Sequence, residues 1–189
     1  MHLRERESHF DFHLRRRENL SNRNNTIQFE CFFHFIMARY DVVLCFRGSD
    51  TRRTFTGTLY TALRKARLIT FMDTGELKGG DQILYTIIEA LEASRVSIVV
   101  LSQDFASSRW CLNELVKILE CMKTKNQVVI PIFYGVDPSD VRNLRGSFGE
   151  AMHKFEYKFG KDYEEIQKWR SALTQVANLK GWCFRNWYL

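Results

Sequence analysis

Four short apolar runs, each followed by a stretch of helical period, constrain this chain more than any other feature. The runs are YDVVLCF (40–46), LITFM (68–72), SIVVLS (97–102) and VVIPIFY (128–134). They read as strands buried on both faces. Between them Phe55, Leu59, Ala62, Leu63 and Ala66 make one helical stripe. Ile83, Leu84, Ile87, Ile88 and Leu91 make a second, and Leu112, Leu115, Val116, Leu119 and Met122 a third. Strands alternating with helices predict an α/β fold with a parallel sheet covered on both sides, and right-handed crossovers leave few topologies. Pro131 interrupts the fourth run. It cannot donate to a ladder, so that strand is expected near an edge or with a bulge.

Local chemistry marks the helix starts. Asp137-Pro138-Ser139-Asp140 reads as an N-cap, a proline at the first helical position and an acid behind it. Ser147 with Glu150 forms a capping box. Ser107 or Ser108 caps the helix that carries Trp110 and Glu114. Trp169 and Trp182 read as core residues. Residues 1–38 differ from the rest, being rich in Arg, Asn, His and Phe without a sustained period. They are expected to form a poorly ordered extension. His9 and His13 stand four apart there without further ligands, which points to a surface pair rather than a metal site.

Composition narrows the function classes. The net charge is +6, but it is dispersed, with no basic stripe interleaved with aromatics. This suits an anionic small ligand better than nucleic acid. The five cysteines, Cys31, Cys45, Cys111, Cys121 and Cys183, are odd in number and irregularly spaced. They point to reduced thiols in the cytoplasm or nucleus, with neither a disulfide framework nor a zinc site. The apolar run near the start, CFFHFIMA (31–38), is well short of the roughly 20 residues a membrane span requires.

In an open doubly wound sheet, ligands bind beyond the carboxyl ends of the strands, where strand order reverses. For the order 2-1-3-4-5, the loops flanking that point are FRGSDTRR (46–53) and SQDFASSRW (102–110), with DTGELKGGD (73–81) over the same end. Arg47, Arg52 and Arg53 would supply positive charge. Gly48 would let a phosphate approach the backbone. Trp110 offers a stacking face, and Glu114 a carboxylate one turn deeper. Position alone leaves the other readings open: Trp110 as helix-end packing, Glu114 as a solvated helix residue, and Arg47 as a structural arginine bonding loop carbonyls or an acid such as Asp50. Cys111 reads as a packing thiol, since no histidine is near it in sequence.

The segments YDVVLCFRGSDTRRTFTGTLYTAL, ITFMDTGELKGGDQI, EALEASRVSIVVLS, FASSRWCLNELVKILEC, VVIPIFYGVDPSDVR, GSFGEAM and KWRSALTQVANLKGW follow one another from about Tyr40 to Trp182, roughly three-quarters of the chain. In order and spacing they resemble a plant-type TIR (Toll/interleukin-1 receptor) domain. The resemblance implies a flavodoxin-like three-layer fold with a five-stranded parallel sheet of order 2-1-3-4-5. It sets the domain at 39–185, with 186–189 as a short tail. It implies a part in plant immune signalling, and cleavage of NAD+ or NADP+ at the nicotinamide–ribose bond on self-association. The dinucleotide is then a substrate, with no cofactor or metal. The family's catalytic glutamate, in W-C-L-x-E-L, matches Glu114, and its aromatic matches Trp110. Arg47, Gly48, Ser108 and Lys78 fall where the substrate would bind. Self-association or pairing with other TIR domains is the implied partnership, with no membrane.

The chain departs from the family pattern in places. Ser49 replaces the usual Glu of the first loop. Gly79 stands where a basic residue precedes the second glycine, with Lys78 one residue back. Gly57-Thr58 replaces a Ser-His pair on the first long helix. Only CFRNWYL follows the G-W motif, so the last strand and final helix are expected to be truncated or missing, uncovering apolar surface and weakening a self-association face. These departures favour, as the alternative function, a non-catalytic TIR–TIR interaction module that regulates other TIR receptors. A phosphoacceptor receiver domain on the same fold is opposed by Arg47 and Gly48, which sit where its acids should be.

Overall fold

The computed structural model describes residues 38–73 and 80–184. Five parallel strands form one sheet: β1 (Tyr40–Phe46), β2 (Thr70–Met72), β3 (Ser94–Leu101), β4 (Val128–Tyr134) and β5 (Trp182–Phe184). Their order is β2-β1-β3-β4-β5, so the order reverses between β1 and β3. The helices are α1 (Gly48–Thr51), α2 (Phe55–Lys65), α3 (Gly80–Glu92), α4 (Arg109–Lys125), α5 (Pro138–Arg142), α6 (Gly146–Phe159) and α7 (Glu164–Ala177), with a 3-10 turn at Phe105–Ser107. This is the flavodoxin-like three-layer arrangement. β1 and β4 have the bounds expected from their apolar runs. β2 is shorter, because Leu68 and Ile69 stay outside the ladder.

Alternation along the strands divides the interior into two faces. Val43, Cys45, Val99, Leu101 and Phe133 point to one side, under α3, α4, α6 and α7. Leu112, Leu115 and Ile118 of α4 are fully buried there, each contributing about 1.5–3 kcal/mol of apolar burial. Val42, Leu44, Phe46, Ile98, Val100 and Ile132 point to the other side, where Phe55, Leu59 and Leu63 of α2 pack. Trp169 is core as expected, 1% exposed, with its indole N–H donating to Asn113 at 2.7 Å.

Trp182 corrects its expectation. It is 67% exposed, because it stands on the edge strand β5. Pro131 follows its expectation: β4 lies next to that edge, and β5 pairs with it only from Ile132 onward. Gly181 makes the crossing possible, since a Cβ there would sit 2.4 Å from the Pro131 carbonyl oxygen.

The caps follow the sequence in two cases out of three. The Asp137 carboxylate accepts from the Ser139 N–H at 2.7 Å, and Ser108 caps α4 by accepting from the Cys111 N–H at 3.3 Å. The Ser147 box does not form. α6 begins at Gly146, with Arg145 as its cap residue and no side-chain cap bond. At the far end of α4, Asn126 takes the left-handed conformation, and the buried Gln127 amide donates to the Leu91 and Ser94 carbonyls. Among the described residues no helix is long and apolar enough to cross a membrane.

Candidate functional site

The site forms where β1, β2 and β3 end and α4 begins. Trp110 and Glu114 are one turn apart on α4, so their side chains share a face. Trp110 acts on the Glu114 carboxyl from that face and pulls its pKa down. Cys45, buried at the end of β1 on the face that α4 covers, acts in the same direction. Although an edge of Glu114 reaches the surface, its carboxyl lies deep enough that burial pushes its pKa up to about 7. The negative charge of Asp73, just after β2, pushes in the same direction as burial, while Cys45 and Trp110 pull down. A carboxylate of this kind is short of solvation and gains strongly from a nearby positive charge.

The two thiols are not nucleophiles. Burial pushes Cys111 up to about 12, helped by the charge of Glu114, and burial pushes Cys45 well above its ordinary value. Both remain neutral at physiological pH. The Cys111 thiol meets the Phe46 carbonyl at 3.5 Å, consistent with its reading as a packing residue.

The first loop divides its charges. The Asp50 carboxylate accepts from Ser102 Oγ at 2.6 Å and from the Asp104 N–H at 3.1 Å, and Ser49 Oγ donates to it at 2.9 Å. Asp50 therefore bridges the β1 and β3 loops instead of pairing with Arg47. Arg52 turns the other way. Its guanidinium donates to the Asp73 main-chain carbonyl, lies 3.5 Å from the Asp73 carboxylate and covers the Phe46 ring at 5.1 Å. The positive charge expected of Arg52 is thus neutralised by Asp73, and Arg53 is exposed. The room left by Gly48, read from sequence as space for a phosphate, is occupied by Arg52: a Cβ there would lie 2.8 Å from its Nη2.

Arg47 is different. Its Nε is buried without an acceptor, and its charge reaches Cys111 at the start of α4. An orphaned buried donor costs about 1–3 kcal/mol, a cost that a bound anion would offset. The structure thus brings Arg47, Gly48, Ser108, Trp110 and Glu114 to one end of the sheet. Ser108 Oγ is engaged as the α4 cap. Lys78 lies outside the described residues, as do His9 and His13. Cys45, Asp50 and Asp73 were not among the expected site residues. The position of Asp73 at the end of the second run was the available signal. The role of Cys45 had none, since it depends on a contact 69 positions away in the chain.

A doubly wound sheet with a desolvated glutamate on the helix after its third strand defines a class, and comparison with known families agrees. The chain belongs to the TIR domain family, which matches residues 39–189. It is 53% identical to TMV resistance protein N of Nicotiana glutinosa over 144 residues, covering 76% of this chain and 13% of that protein. It is 52% identical to disease resistance protein RPV1 of Vitis rotundifolia over 143 residues, covering 76% of this chain and 10% of that protein. The match therefore spans only about a tenth of the length of these relatives. Among solved structures, it is similar to the TIR domains of the activated Roq1 resistosome directly recognizing the pathogen effector XopQ, with a TM-score of 0.72 and 48% identity over 79% of this chain and 90% of that one.

Proposed function

We propose that this domain cleaves NAD+ or NADP+ at the nicotinamide–ribose bond, in the cytoplasm or nucleus, as part of plant immune signalling. The observation that carries this reading is the Glu114 carboxylate, desolvated at the end of the sheet one turn from Trp110 on α4. The nicotinamide ring is cationic in the substrate. As its bond to the ribose breaks, the ring leaves neutral with the bonding electrons and the positive charge passes to the ribose as an oxocarbenium-like centre. A preorganised carboxylate short of solvation stabilises that charge more than water does, as carboxylates do against the related glycosidase transition state. Water then attacks the anomeric carbon and gives up a proton, leaving ADP-ribose and nicotinamide. Arg47 supplies a donor for the diphosphate, and the Trp110 ring offers a face for a base.

Association with other TIR domains belongs to the same proposal. It is supported by the likeness to TIR domains described within a resistosome. The test is nicotinamide release from NAD+ by purified protein at high concentration or with a crowding agent, beside Glu114→Ala. Release that disappears in the variant supports the enzyme. Equal release by both sinks it, and leaves the non-catalytic interaction module.

A further inference from the structure

We propose that Asp50 is a positioning residue of this site: from the single turn α1 it grips the loop after β3, and so sets the place of Arg47 relative to the start of α4. The proposal rests on the reading of Arg47 and Glu114 given above.

Its ground is a set of hydrogen bonds at the point where strand order reverses. Phe46 and Val100 are paired near the ends of β1 and β3, so the two loops leave the sheet side by side. On the β3 side the chain is anchored. Phe105 and Ala106 are fully buried. The Asp104 carbonyl accepts from the Ser107 N–H at 3.1 Å and from Ser107 Oγ at 2.6 Å, and Ser108 then caps α4. On the β1 side, α1 is four residues long, and Arg47 at its cap position makes no side-chain cap bond. A lone turn of that length does not hold itself. The Arg47 carbonyl accepts from the Asp50 and Thr51 N–H groups at 3.1 and 3.3 Å, so what holds Asp50 also holds Arg47.

Asp50 is held by the anchored side. One carboxylate oxygen accepts from Ser102 Oγ at 2.6 Å and from the Asp104 N–H at 3.1 Å. The other accepts from Ser49 Oγ at 2.9 Å. Neighbouring side chains lead elsewhere. Thr51 accepts from Thr56 Oγ at 2.7 Å, towards α2, and Arg52 reaches Asp73. Those contacts fix α1 against α2 and the end of β2. Asp50 is the arm that fixes it against the loop leading to Trp110 and Glu114.

On this reading Arg47 holds a diphosphate that the reaction leaves unchanged, so its placement governs substrate binding more than bond breaking. Asp50→Ala is expected to raise KM for NAD+ by on the order of tenfold, the worth of one hydrogen bond to a charged group, with kcat largely kept. Asp50→Asn is expected to rescue most of that loss, since its amide oxygen can accept from both Ser102 and Asp104 while Ser49 turns to accept from its NH2. A lower kcat at unchanged KM in Asp50→Ala is the sign of less folded protein and overturns the proposal, as does an asparagine variant as weak as alanine. The Arg47 Nε–H gives a readout without turnover. Its 15N NMR signal, assigned by its loss in Arg47→Lys, should exchange with solvent faster in Asp50→Ala and Ser102→Ala than in wild type or Asp50→Asn. Equal exchange in folded wild type and folded Asp50→Ala overturns the proposal, and Ser102→Ala decides this if Asp50→Ala does not fold. If wild type releases no nicotinamide, the function proposed above fails, while the exchange still decides whether Asp50 holds Arg47.

Discussion

Glu114→Gln should make this domain more stable at alkaline pH. The wild-type carboxyl is raised from 4.5 to about 7 in the folded state. The folded protein therefore binds more protons than the unfolded chain between those values, and its stability falls as pH rises through that window. At about 1.4 kcal/mol per pKa unit, the full penalty above pH 7 is about 3 kcal/mol, an upper bound because an edge of the residue reaches solvent. Glutamine removes the charge at nearly the same size and keeps an oxygen acceptor, so little packing is lost. At pH 8 the variant should gain most of that energy, a rise in Tm on the order of 5–10 °C for a domain of this size. At pH 4 the two proteins should be nearly alike, since the wild-type carboxyl is then mostly neutral in both states. The assay is chemical denaturation of both proteins at pH 4 and pH 8. Equal stability at pH 8, or an equal difference at both pH values, would refute the argument from desolvation. The gain would accompany loss of nicotinamide release, the usual exchange of stability for function at a strained site.

Nicotinamide release should rise through about pH 7, because the ionised form of Glu114 is the effective one and its carboxyl is raised to that value; a profile flat from pH 5 to 8 would count against it. Gly181→Ala should destabilise by about 1–3 kcal/mol, since its Cβ would lie 2.4 Å from the Pro131 oxygen, which denaturant midpoints would read. Among the four described cysteines, Cys183 should be alkylated quickly in the native protein, while the buried Cys45, Cys111 and Cys121 react only after unfolding, as peptide mapping would show.

The sheet was legible because buried strands carry their own signal. The runs at 40–46 and 128–134 match β1 and β4 residue for residue, and the apolar stripe of α4 marks its buried face. Trp182 was misread because an aromatic near a strand signals core only when the strand is internal, and edge position is set by sheet order rather than by local sequence. Ser147 was misread because Gly146, with φ of 53°, lets the chain enter α6 two residues early, with Arg145 at the cap. At the site, Trp110 and Glu114 were legible from their spacing and from the family motif. Asp50, Arg52 and Asp73 were not, because each could pair with several partners and only the folded loops select one. The readings of Arg47 and Gly48 shifted for the same reason: Asp50 turned to Ser102, and Arg52 took the space over the glycine.

The single turn α1 and the residue that caps its end carry Asp50 and Arg52 two residues apart, gripping the β3 loop on one side and Asp73 on the other. The mouth of the crevice is therefore spanned like a bridge with one pier, standing on residues 48–52. A change in the width of that mouth need not alter the strands, α4 or Glu114. Lengthening or shortening the reach of the side chains on that pier is enough to reset the gap.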